Sequence, residues 1–300
     1  MEASSSSVNH LESASPIFKT NGMLNSQKKI KRSWFRRLMK DDVTILDALK
    51  MSLAELIGTG ILVFLGCLGC VGSLGTTPST LSASLIFGLT VLLVIQGIGH
   101  ISGAHINPAI TVGAIVLGKK SLPIAIIYII AQLIGGILGY GLLKAVTPDF
   151  LLHNGDASTT SSFCVTDVHN KISVIQGFII EILATGMLMF MTCGAWDARN
   201  SKYGDSSAIK SGLTVTAICL GVAPYTGCSM NPARSLAPAV WNNYWANHWI
   251  FWFGPFGGSL IGALLYRAVF WPNEIESESF SQNNVEGQKM GFIYFLEWNR

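Results

Sequence analysis

Two stretches carry residues whose types and spacing could act on a solute: Ser-Gly-Ala-His-Ile-Asn-Pro-Ala-Ile-Thr at 102–111, and Tyr-Thr-Gly-Cys-Ser-Met-Asn-Pro-Ala-Arg-Ser-Leu-Ala-Pro at 225–238. In each, an Asn-Pro-Ala triplet (Asn107, Pro108, Ala109; Asn231, Pro232, Ala233) follows a glycine and opens an apolar run, Ala109 to Gly118 and Ala233 to Trp241. Asparagine is a favoured N-cap, and proline fits the first helical position, where its missing N–H would have lacked a partner anyway. A helix of about ten residues is about 15 Å long, half of a roughly 30 Å hydrocarbon core. Two such half-helices span a membrane only by meeting inside it. Their positive dipole ends then face each other and repel cations, while the two amides offer uncharged donors to the oxygen of a small neutral molecule. This is binding chemistry rather than bond breaking. No nucleophile, base and orienting group converge in the motifs, so an enzyme is not expected and no cofactor is implied.

Arg234 breaks the symmetry of the two stretches, since Ile110 holds the matching position in the first. A charge at membrane depth is costly unless it faces a cavity, so this arginine is expected to repel cations and to donate hydrogen bonds to a passing solute. Glu55 and Glu181 also fall inside apolar segments. Intramembrane carboxylates raise the alternative of a proton relay, which a proton-coupled transporter would need. His100 and His105 flank the first motif and read as structural or pH-modulating groups, and Gln132 could satisfy a loop. Cys67 and Cys70 form a C-x2-C inside an apolar helix without a second pair or a histidine, so no metal site is expected. Of the other cysteines (164, 193, 219 and 228), only Cys164 falls in an outside loop, and no disulfide framework is implied.

The elements that position these residues follow from composition. Half of the 300 residues are hydrophobic and 12% are charged, with mean hydropathy +0.45, which marks a polytopic membrane protein. Windows of about twenty apolar residues fall near 52–72, 81–99, 122–143, 172–194, 208–222 and 248–270. The fold class expected is therefore all-α, with six transmembrane helices and two re-entrant half-helices. Residues 1–43 read as a disordered tail without a signal peptide, ending in Lys28, Lys29, Lys31, Arg32, Arg36, Arg37 and Lys40. This cluster places the N-terminus in the cytoplasm, and the uncharged loop 73–80 outside agrees. Six spans return residues 271–300 to the cytoplasm as a second tail, whose apolar end, 290–298, could lie on the bilayer or bind a partner. The net charge of +3 thus reflects topology, and no nucleic-acid partner is expected. The plasma membrane is the expected residence, because the N-terminus carries no organelle address.

The chain repeats itself after about 125 residues. Ala54-Glu55-Leu56-Ile57-Gly58-Thr59-Gly60 is echoed by Ile180-Glu181-Ile182-Leu183-Ala184-Thr185-Gly186, and Gln132-Leu133-Ile134-Gly135-Gly136 by Pro255-Phe256-Gly257-Gly258. The first copy covers 44–147 and the second 172–270, joined by an outside loop at 148–171. Each copy holds three spans, so the second enters from the opposite side and the repeat is inverted. Non-helical backbone at that depth survives only when buried in protein or lining water, which argues for a pore.

The paired motifs resemble those of the aquaporin and aquaglyceroporin family over about residues 45–270. The resemblance implies the aquaporin fold and a homotetramer in the lipid bilayer with one pore per subunit. Each pore would pass water or small neutral solutes and exclude ions and protons. It places Arg234 in a four-residue constriction with Phe87, twenty residues before Asn107, and with Cys219 and Cys228, twelve and three before Asn231. It also gives Glu55 and Glu181 a quieter role, accepting hydrogen bonds from the re-entrant loops. Water-selective members carry histidine where this chain has Cys219, so a wider filter admitting glycerol and urea is expected. The alternative is a strictly water-selective pore. Ser235, Ala239 and Phe251-Trp252 follow the water-channel pattern instead, a combination that resembles the insect entomoglyceroporins. A junction protein that keeps the fold without conducting would need a plugged pore.

Overall fold

The structure, a computed structural model, describes residues 38–40, 43–71, 78–152 and 163–272. The basic run Lys28 to Arg37, most of the loop 73–80 and the apolar stretch 290–298 lie outside the described residues.

Among the described residues eight main helices follow in order: α1 (Ile45–Leu68), α2 (Thr80–Ser102), α3 (Pro108–Val116), α4 (Leu122–Val146), α5 (Val174–Trp196), α6 (Ser207–Thr226), α7 (Pro232–Asn242) and α8 (Ile250–Val269). A single turn, Asp149–Leu152, follows α4, and a 3-10 segment, Ala198–Ser206, leads into α6. Local chemistry sets the ends. Thr44 caps α1, Ser79 caps α2, and a reciprocal Ser173–Gln176 capping box starts α5. Gly103 and Gly227 end α2 and α6 at repeat-related sites with φ of 91° and 73°, a left-handed turn that a side chain would strain. Helices α1, α2, α4 and α5 and the segment Ala198–Thr226 are long and apolar enough to cross a membrane. The sixth span, α8, is diluted by Gly254, Pro255, Gly257, Gly258 and Arg267, yet it packs on α5 as α4 packs on α1.

The two copies pack by the same rules. Besides the α1–α4 and α5–α8 pairs, α4 meets α7 where α8 meets α3, and α2 packs against its own counterpart α6. Backbone touches backbone at the first two interfaces. A Cβ on Gly135 would lie 2.1 Å from the Leu56 carbonyl oxygen, and one on Gly258 would lie 2.2 Å from that of Ile182. Such approach replaces hydrophobic burial as the cohesive force, because lipid is as apolar as leucine. Burial is accordingly inverted relative to a water-soluble protein. Leu49, Leu53, Ile57 and Ile61 are exposed along one face of α1, whereas Glu55, Gln132 and Glu181 have no exposure at all.

Candidate functional site

Helices α3 and α7 begin at the centre of the bundle, and their caps hold each other. Asn107 Oδ1 accepts from Ala109 N at 2.8 Å, and its Nδ2 donates to the Met230 carbonyl at 2.8 Å. Asn231 mirrors this, with Oδ1 accepting from the N–H groups of Ala233 and Arg234 and Nδ2 donating to the Ile106 carbonyl at 2.9 Å. Each amide NH2 thus uses one hydrogen across the interface and has a second to offer.

The chain reaches these caps in a strained conformation. Ala104 and Ile106 have φ of 45°, and their repeat mates Cys228 and Met230 have 53° and 49°. Non-glycine residues sit there only when their surroundings compel it. Glu55 and Glu181 do so. Glu55 accepts from His105 N (2.9 Å), Ile106 N (2.6 Å), Ser102 Oγ (2.7 Å) and Gln132 Nε2 (2.8 Å). Glu181 accepts from Ser229 N (2.9 Å), Met230 N (2.9 Å) and Thr226 Oγ1 (2.6 Å), and Pro255 stands where Gln132 stands in the first copy. A carboxylate accepts through both oxygens, which suits two successive N–H groups pointing one way.

Phe87, Cys219, Cys228 and Arg234, separated widely in sequence, line a single cavity of about 320 Å³ together with Asn107 and Asn231. The first turn of α7 projects Arg234 into it. Its guanidinium lies 4.9 Å from the Phe87 ring centre, and its Nη1 donates to the Cys164 carbonyl at 2.7 Å. Only 6% of Arg234 is exposed, so the wall sets its direction. Two thiols that are short and weakly polar, Cys219 and Cys228, line the same cavity. Pro108, Ala109, Pro232 and Ala233 are buried in the first turns of α3 and α7 and hold the caps rather than meeting the lumen.

Three contributors escaped the sequence reading. Cys164 supplies the carbonyl that holds Arg234, from a loop with no repeat counterpart. Trp196 lines the same cavity, as does Lys210, and its ring lies 5.3 Å from that of His105. A hydroxyl chain, Thr166 to Ser235 (2.8 Å) to Ser229 (2.6 Å), braces the second loop. The Ser235 noted in the motif is its middle member. The Ser235–Ser229 link repeats the Thr111–His105 contact of the first copy (3.1 Å), whereas Cys164 lies outside both copies.

Among the described residues no cluster of histidine, cysteine and carboxylate side chains could hold a metal ion. Comparison with known proteins agrees with the geometry. Residues 42–266 match the family model of the major intrinsic proteins. The chain is 39% identical to aquaporin-4 of Mus musculus over 72% of its own length and 65% of the relative's, which is just under two thirds. It is 36% identical to aquaporin-5 of Sus scrofa over 79% of its own length and 87% of the relative's. A solved structure, the aquaglyceroporin from Plasmodium falciparum, superposes with a TM-score of 0.67, at 23% identity and covering 74% of this chain and 96% of that one, a likeness of fold. Six spans and two half-helices in an inverted repeat, matched over most of the chain by the family model, identify it as a membrane protein with the aquaporin fold that belongs to the major intrinsic protein family.

Proposed function

We propose that this chain is a passive channel for water and for small neutral solutes of the glycerol and urea class, closed to ions and protons. As a major intrinsic protein it is a channel rather than an enzyme. The observation that carries the solute range is the composition of the cavity around Arg234, which two thiols, a phenyl ring and one guanidinium line together. A polyol can lay its carbons along Phe87, Cys219 and Cys228 while its hydroxyls accept from Arg234. Water then continues to Asn107 and Asn231, where the two helix dipoles and the remaining amide hydrogens favour an oxygen and disfavour a cation.

The saturated carboxylates weigh against a proton-coupled transporter. Glu55 and Glu181 are fully buried and spend both oxygens on loop donors. A strictly water-selective pore remains the second reading, favoured by relatives that are named aquaporins rather than aquaglyceroporins. We further propose a homotetramer in the plasma membrane with both termini cytoplasmic, by similarity to the family and from the lysines and arginines of the N-terminal tail.

Reconstitution into sealed vesicles tests the channel. Hypertonic shrinkage should be fast, unsaturable and indifferent to a pH gradient, with no proton current. Arg234→Ala should keep water flux and raise cation leak about tenfold, since removing a charge worth about 1.4 kcal/mol of barrier has that effect. Saturating, pH-driven flux would contradict the proposal.

A further inference from the structure

The acceptor that holds Arg234 is itself held. Arg234 Nη1 donates to the Cys164 carbonyl at 2.7 Å, and Cys164 has a φ of 56°, which a residue with a side chain keeps only when its neighbours impose it. They do so from both directions along the chain. Upstream, Tyr140 Oη donates to the Phe163 carbonyl at 2.7 Å, while Asn242 Nδ2 donates to the same oxygen at 3.3 Å and to Tyr140 Oη at 2.9 Å. Downstream, Thr166 Oγ1 donates to Ser235 Oγ at 2.8 Å, and the Tyr244 hydroxyl donates to the Asp167 carboxylate. The Phe163 and Cys164 carbonyls belong to the two rigid peptide planes that meet at the Cys164 α-carbon. Fixing the first plane therefore aims the second at the guanidinium.

The two upstream donors come from different copies of the repeat. Tyr140 is fully buried in α4, and Asn242 is the last residue of α7. Trp241 docks that end of α7 on α4: its Nε1 donates to the Ile137 carbonyl at 2.8 Å, and its ring fills the space where a Cβ on Gly141 would lie, 2.5 Å away. Arg234 and Asn242, eight residues apart on α7, share one helix face and donate to consecutive carbonyls. Neither Tyr140 nor Asn242 lines the cavity itself.

We propose, resting on the channel reading, that Tyr140 and Asn242 are positioning residues that keep Arg234 against the wall and the lumen open. Without their donors the Phe163 peptide turns freely and Cys164 relaxes to an ordinary φ. The Cys164 carbonyl then leaves the guanidinium, and Arg234 swings into the cavity it shares with Phe87, Cys219 and Cys228. Ser235 and Tyr244 still hold Thr166 and Asp167, so the segment stays docked while its Cys164 turn loosens.

The test uses the full chain in sealed vesicles, as wild type, as the double variant Tyr140→Phe, Asn242→Ala, and as both again with Arg234→Ala. Because each donor reaches the same carbonyl, both are removed together. Water permeability should fall about threefold in the double variant, the scale of losing one net hydrogen bond. With Arg234→Ala present, the double variant should conduct as Arg234→Ala does, because no side chain is left to swing inward. A channel that had lost only stability would lose flux in both backgrounds. Cys164, which is partly open, should alkylate about threefold faster in the double variant, as mass spectrometry of the labelled peptide would read. Unchanged flux, an equal fall in the Arg234→Ala background, or unchanged alkylation of Cys164 would overturn the proposal. A wild type that conducts no water would count against the channel reading, whereas the alkylation rate judges the clamp without reference to conduction.

Discussion

At the scale of the residue, the proposed solute range rests on the side chains that share the cavity with Arg234. Cysteines at 219 and 228 leave space where a larger polar ring would close it, and they put two sulfurs on the wall of the proposed permeation path. Mercuric ions should therefore block conduction, and the block should be largely lost in a Cys219→Ser, Cys228→Ser double variant assayed by vesicle shrinkage. A block that survives there and disappears in Cys164→Ser would locate the sensitive thiol behind the arginine instead. Both asparagine caps and both carboxylates were legible in the sequence because the repeat states each of them twice. Cys164 was not. It lies about seventy residues from Arg234 in a connecting loop outside the repeat, and it contributes a backbone carbonyl, which any residue type possesses.

At the scale of the element, helices α3 and α7 are short because their starts are anchored at the bundle centre by Glu55 and Glu181. Replacing either with glutamine turns an amide N–H against a backbone N–H, at a cost of about 1–3 kcal/mol. Four donors converge on Glu55 and three on Glu181, so Glu55→Gln should lower the thermal midpoint in detergent more than Glu181→Gln. Equal losses would mean that Gln132 adds nothing. A second anchor lies outside the membrane, at the end of α5. Hydrogen bonds from Arg199 hold the Asp197 carboxyl below its ordinary 3.8, against the opposing effect of burial, with Tyr266 Oη a further donor at 3.0 Å. A depressed folded pKa stabilises above the unfolded value and is lost as pH falls through the folded one. Stability should therefore decline below about pH 4 in the wild type and flatten in Asp197→Asn, as thermal melts across pH would show. Helix lengths were less legible than helix existence. The apolar windows began α1 at residue 52, whereas Thr44 caps it and Asp47 and Lys50 lie in its exposed first turns. Likewise the 3-10 segment Ala198–Ser206 has no apolar face and gave no periodic signal.

At the scale of the whole molecule, inversion of one three-span unit brings two equivalent caps to one point, and a single arginine makes that point asymmetric. Backbone contacts at Gly135 and Gly258 hold the copies internally, while leucine and isoleucine faces are exposed on the outside of the bundle. On the proposed reading, a framework resembling that of the water channels carries a departure at Cys219, and very few side chains set the selectivity. The most direct measurement is swelling of cells expressing the chain in isosmotic glycerol, beside cells expressing Cys219→His and uninjected controls. The wild type should swell, Cys219→His should not, and both should conduct water under hypotonic shock. A wild type that passes water but no glycerol would contradict this and leave the pore water-selective.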